Sequence, residues 1–233
     1  MVTDNGDQMK YNITGDNLQF VNIEFGPGEV IYSEAGSMLY MSGNVRLETK
    51  AKGGIMSGLK RAVSGESFFV TNFYAEGGTG LVGFGGSVPG KIMAIDLRGG
   101  RQWLLQKTAF LAAEDDVLLD IAFQRKFGAA LFGGEGLILQ KVNGEGTVFI
   151  AGCGDFIEYN LTPGQVLKVS TANVAAWESS VQYDIQSLGI KTALFGGEGL
   201  FVTTLTGPGR VVLQSMTMSK LANSLVPYLP NRN

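Results

Sequence analysis

The sequence predicts a mainly β protein, a β-sandwich built from internal repeats with short connecting helices and a short C-terminal helix. Three observations predict it. The octapeptide Ala130-Leu-Phe-Gly-Gly-Glu-Gly-Leu137 recurs unchanged at Ala193 to Leu200, which is the signature of a repeated structural unit. Apolar residues alternate with polar ones in short runs that end at glycine, as half-buried strands require. Glycine supplies 34 of 233 residues, about twice its ordinary usage, so tight turns are many.

Taken in chain order, the polar residues 1–8 form a disordered or tag-like start without the basic-then-apolar order of a secretory signal. The compact domain covers 9–230. Its units begin with strands that superimpose without gaps: Phe20 to Gly28, Ile92 to Gly100 and Phe156 to Gly164. Each closes on a glycine turn. The following segments, Val30 to Leu39, Gln102 to Leu111 and Val166 to Ala175, also align, and Ala113-Glu114 matches Trp177-Glu178. Unit boundaries then fall at about 17–88, 89–153 and 154–216. Late in each unit a strand, a Gly-rich turn and a second strand read as a hairpin, as in Ile138 to Val142 followed by Val148 to Ile150. Short helices are expected in the links at 55–63, 126–132 and 191–195. A final helix is expected over 219–226, stopped by Pro227.

Composition restricts the chemistry. Histidine is absent, which removes imidazole bases and the Ser-His-Asp and Cys-His arrangements built on them. A single cysteine, Cys153, excludes an intrachain disulfide and fits a reduced, cytoplasmic compartment; between Gly152 and Gly154 it reads as a small buried hydrophobe. A net charge of −3 with scattered basic residues gives phosphate backbones nothing to bind, so no nucleic-acid partner is expected. No catalytic residue, metal site or cofactor is assigned.

Several motifs dissolve on inspection. Gly78-Thr-Gly-Leu-Val-Gly83 fits a dinucleotide-binding pattern, but the glycine and proline that follow cannot carry the helix that chemistry needs, and the segment reads as a β-turn. Ser57-Gly-Leu-Lys60 lacks the companion motifs of a serine–lysine enzyme. Glu114-Asp115-Asp116 reads as an exposed turn. By contrast, Glu66, Glu135 and Glu198 stand at equivalent places among glycines, the last two beside Gly134 and Gly197. Their expected role is to accept hydrogen bonds from backbone N–H groups in glycine turns, with ligand binding as the alternative. Lys60 and Arg61, on the basic side of the 53–65 link, are candidate surface contacts; packing of that link on a sheet is preferred to a membrane surface.

The sequence resembles the uncharacterised bacterial and archaeal family whose eukaryotic relative is altered-inheritance-of-mitochondria protein 24. That family is grouped with the tryptophan RNA-binding attenuator protein-like folds. The resemblance rests on Gly65-Glu66-Ser-Phe-Phe69, Gly134-Glu135-Gly-Leu137, Ala109-Phe-Leu-Ala112, Val174-Ala-Ala-Trp-Glu178 and Gly207-Pro-Gly-Arg-Val-Val-Leu-Gln214. It implies a β-sandwich made by duplication, frequent homo-oligomers, and a mitochondrial inner-membrane organising role for the eukaryotic relative. The resulting expectation is a non-enzymatic oligomeric scaffold or interaction module. A trimer is slightly favoured, because low charge and abundant apolar residues leave hydrophobic surface to cover. A small-molecule-binding or hydrolase-like protein is the alternative, and a membrane-surface protein ranks below it.

Overall fold

A computed structural model describes residues 9–51, 69–125, 137–187 and 201–229. Its strands fall into three successive sets of six. The first unit holds β2 (Phe20–Phe25), β3 (Val30–Glu34), β4 (Met38–Met41), β5 (Val45–Ala51), β6 (Phe69–Ala75) and β7 (Gly80–Gly85). The second holds β8 (Ile92–Asp96), β9 (Trp103–Gln106), β10 (Phe110–Glu114), β11 (Val117–Arg125), β12 (Leu137–Gly144) and β13 (Thr147–Ala151). In the third are β14 (Phe156–Leu161), β15 (Val166–Ser170), β16 (Val174–Glu178), β17 (Gln182–Ser187), β18 (Phe201–Thr206) and β19 (Gly209–Gln214). An additional strand, β1 (Lys10–Thr14), pairs antiparallel with β2 and has no counterpart in the other units. The chain ends in one helix, α1 (Met218–Leu225), continued by a 3-10 turn over Val226–Tyr228.

Sequence chemistry explains the local geometry. Gly28, Gly100 and Gly164 follow β2, β8 and β14 with φ of +92°, +79° and +77°, a region closed to residues with a Cβ except at a cost. In the first and third units these turns are Gly26-Pro27-Gly28-Glu29 and Thr162-Pro163-Gly164-Gln165. Glu29 N–H donates to Gly26 O at 3.2 Å and Gln165 N–H to Thr162 O at 3.0 Å. Proline in the second place and glycine in the third match a type II turn. Gly78 to Gly83 runs from a turn into β7 with no helix after it, as its residues require.

The sheets do not respect unit boundaries. Strand orders are β1-β2-β7-β4, β5-β6-β3-β10-β13-β8, β11-β12-β9-β16-β19-β14 and β15-β18-β17. Each unit therefore gives three strands to one sheet and three to the next, and its own core lies between them. Units are welded edge to edge by β3–β10 and β9–β16. The inner strands β9, β10, β13 and β16 of the two six-stranded sheets are buried on both faces. Along β9, Trp103 and Leu105 enter the core of the middle unit while Leu104 enters that of the third, so this strand is an unbroken buried run with no polar alternation.

Tyr32 ties two units together inside this packing. Its hydroxyl donates to Val117 O at 2.9 Å, its ring stacks on Phe110, and it is fully buried. Burial first, and the charge of Asp115 second, push the phenol well above its ordinary value near 10. Because the folded state resists ionisation, this contribution is complete below the unfolded pKa near 10 and is lost as pH rises above it. Denaturant unfolding between pH 8 and 11 is expected to show stability falling above pH 10, with a shallower fall in Tyr32→Phe.

Candidate functional site

Where the three units converge, the chain forms a solvent-open cavity of about 560 Å³. Equivalent positions of all three units line it: Gly36, Thr108 and Ala172 before the third strand of each set, and Gly85, Ala151 and Gln214 at the end of the sixth. The same region holds a short row of parallel bridges, Leu18 to Gly90 and Gly90 to Gly154, formed by the residues that open each unit.

The cavity wall is held by side-chain amides bonded to backbone. Gln214 Nε2 donates to Ala172 O at 2.9 Å, and its Oε1 accepts from Cys153 N at 2.9 Å. Asn173 Nδ2 donates to Gln214 O at 2.8 Å. The bond from Cys153 N crosses from the second unit to the third, and the other two brace the third unit internally. Gln106 differs, because it lines the cavity at 4% exposure and its Oε1 has no hydrogen-bond partner. A buried acceptor in that state costs free energy.

Thr217 opens α1 as its N-cap, its Oγ1 accepting from Lys220 N at 3.2 Å. The helix then places Met218, Ser219, Ala222 and Asn223 at the cavity. No residue of α1 is buried, and Met218, Leu225, Val226, Tyr228 and Leu229 present apolar side chains to solvent. Cys153 also lines the cavity, and burial pushes its thiol above the ordinary value. A protonated thiol is a poor nucleophile.

Glu66, Glu135, Glu198, Gly134 and Gly197 lie outside the described residues, as do Lys60, Arg61, Ser57 and the expected link helices. A repeated brace of the type assigned to those glutamates occurs elsewhere. Glu114 Oε2 accepts from Thr147 N, and its carboxylate also takes Arg98 Nη2 at 3.0 Å. Glu178 Oε2 accepts from Arg210 N at 2.9 Å, and Ser42 Oγ accepts from Leu81 N at 3.0 Å. The three acceptors close the third strand of each unit against the start of the sixth. Glu114 is thus a buried-side brace at the end of β10, and only Asp115 and Asp116 form the exposed turn read from the sequence. The signal was the match of Glu114 to Glu178 in the unit alignment. Glu114→Ala is expected to lose about 1–3 kcal/mol by stranding the Thr147 N–H and Arg98, as measured by denaturant midpoint.

Among the described residues no group of three or more His, Cys, Asp or Glu is placed to hold a metal ion. No helix among them is long and apolar enough to cross a membrane.

Comparison with known proteins places this geometry among relatives. The family model described as Mitochondrial biogenesis AIM24 matches residues 11–216. An uncharacterised protein of Streptococcus pyogenes serotype M6 is 33% identical over 225 residues, covering 92% of this chain and 89% of its own. A structural-genomics crystal structure of a Streptococcus pyogenes protein superimposes with a TM-score of 0.79 at 31% identity, covering 95% of this chain and all of that one.

Proposed function

The chain belongs to the mitochondrial biogenesis AIM24 family, and from that premise we propose a non-enzymatic, cytoplasmic interaction module that works as a homo-oligomer. Its working site is the cavity at the convergence of the three units. The observation that carries this reading is the lining itself: Leu39, Val88, Phe110, Leu111 and Met218 offer apolar surface. Such a site suits a neutral or amphiphilic group with an apolar body. Among the described residues that line it, none is an activated nucleophile with a neighbouring base. Small-molecule binding, set out as an alternative on the sequence, thereby becomes part of how the module engages its partner.

A direct test uses the amphiphilic fluorophore 1-anilinonaphthalene-8-sulfonate. Saturable binding at micromolar concentration is expected in the full chain, and at least tenfold weaker binding in Thr108→Trp, whose indole occupies the cavity from an exposed position. An unchanged melting temperature shows that the fold survived. Equal binding by both proteins would contradict the proposal, as would ester or phosphate-ester turnover that Thr108→Trp abolishes.

A further inference from the structure

Among the described residues, two of the three units are joined to a successor by the same seam, and the third is not. In the first seam Ser33, Tyr32 and Ile31 of β3 face Ala112, Ala113 and Glu114 of β10. In the second, Leu105, Leu104 and Trp103 of β9 face Ala176, Trp177 and Glu178 of β16. The strands left over are β15, at the end of β15-β18-β17, and β4, at the end of β1-β2-β7-β4. We propose that β15 of one copy of this chain pairs antiparallel with β4 of a second copy and reproduces the seam between molecules. The inference rests on the oligomeric part of the reading above.

Register follows from the units themselves. Strands β4, β10 and β16 share one irregularity against their sixth-strand neighbours, with shifts between Met38 and Tyr40, Phe110 and Ala112, and Val174 and Ala176. Leu39, Leu111 and Ala175 are therefore equivalent. On the other side Ser33 faces Thr71, Leu105 faces Gln140 and Val169 faces Thr203 across equivalent ladders. The intermolecular seam then sets Val169 opposite Tyr40, Lys168 opposite Met41 and Leu167 opposite Ser42.

Exposure marks the same strand. Leu111, Ala112 and Ala113 are buried in the first seam, and Ala175, Ala176 and Trp177 in the second, whereas Leu39, Tyr40 and Met41 are 57%, 43% and 37% exposed. An edge strand with unpaired backbone groups and exposed apolar side chains is a template for another strand. The occupant is specified by chemistry already present twice: a short antiparallel partner whose side chains fit the third strand of a unit. The combined sheet reads β17-β18-β15-β4-β7-β2-β1, the order of the two complete sheets with β1 added. Because the contact joins the end of one chain to the start of the next, it is head-to-tail, and the assembly closes as a ring or grows as a filament.

The test is disulfide trapping with full-length chains carrying Cys153→Ala. Differently tagged Tyr40→Cys and Val169→Cys chains are co-expressed and oxidised. A covalent pair containing one chain of each type is expected, with little pairing of like chains. A second arm needs no new cysteine: Met41→Lys sets like charges against Lys168 and is expected to reduce the assembled mass seen by light scattering, and Lys168→Glu in the partner chain is expected to restore it. An assembly that forms without the mixed disulfide overturns the seam and leaves the oligomer reading standing. A disulfide closed inside one Tyr40→Cys/Val169→Cys chain also overturns it. A wild-type monomer overturns both, while fluorophore binding reports on the cavity independently.

Discussion

Gly90→Ala is expected to be among the most damaging single-methyl changes in the chain, lowering stability by about 3 kcal/mol or more. A Cβ at Gly90 would stand 1.9 Å from Gly152 O, 2.7 Å from Gly154 N and 2.9 Å from Gly152 C. All three are backbone atoms, so no side chain can turn away. The displaced strands carry the junction of the units: Gln19 N–H donates to Gly90 O at 3.1 Å, Lys91 N–H to Gly154 O at 3.0 Å, and Gly154 N–H to Pro89 O at 2.9 Å. Gly28→Ala supplies the control. Nothing lies within 4 Å of its Cβ position, so only its positive φ is at stake, a cost of about 1–2 kcal/mol. Denaturant midpoints of the two variants should rank in that order.

Trp177→Ala is expected to cost about 3–5 kcal/mol, the range for removing a large buried aromatic. Trp177 is 1% exposed in the core of the third unit, edge-on to Tyr183 at 5.2 Å between centroids. Its Nε1 is buried without a partner. Trp177→Phe keeps an aromatic ring there and removes that unsatisfied donor, so it should cost far less than the alanine. Equal losses in the two variants would show that ring burial is not what the residue contributes.

The repeat made much of this fold readable. Gapless alignment picked out β2, β8 and β14 as equivalent strands, and glycine's tolerance of positive φ marked Gly28, Gly100 and Gly164 as turns. The C-terminal helix was signalled by Pro227 and lies one residue earlier than the expected 219–226. Strand partners were not readable, because a period of two tells which face of a strand is buried and says nothing of which unit supplies its neighbour. For that reason the exchange of half-sheets between units and the edge strand β1 emerge only from the structure. The 3-10 turns over Lys107–Ala109 and Thr171–Asn173 were also unannounced. The cavity escaped because it is assembled from residues such as Gly85, Ala151 and Gln214, unremarkable singly and related only by equivalence. The brace at Glu114 was masked by Asp115 and Asp116, which make the run look like a solvated turn.

Native mass spectrometry of the purified protein reads assembly and occupancy in one spectrum. Multiples of the 24.8 kDa chain are expected, together with saturable addition of 1-anilinonaphthalene-8-sulfonate that Thr108→Trp abolishes without changing the number of chains. A monomer at micromolar concentration that adds no fluorophore, or adds it equally in Thr108→Trp, would contradict the proposal.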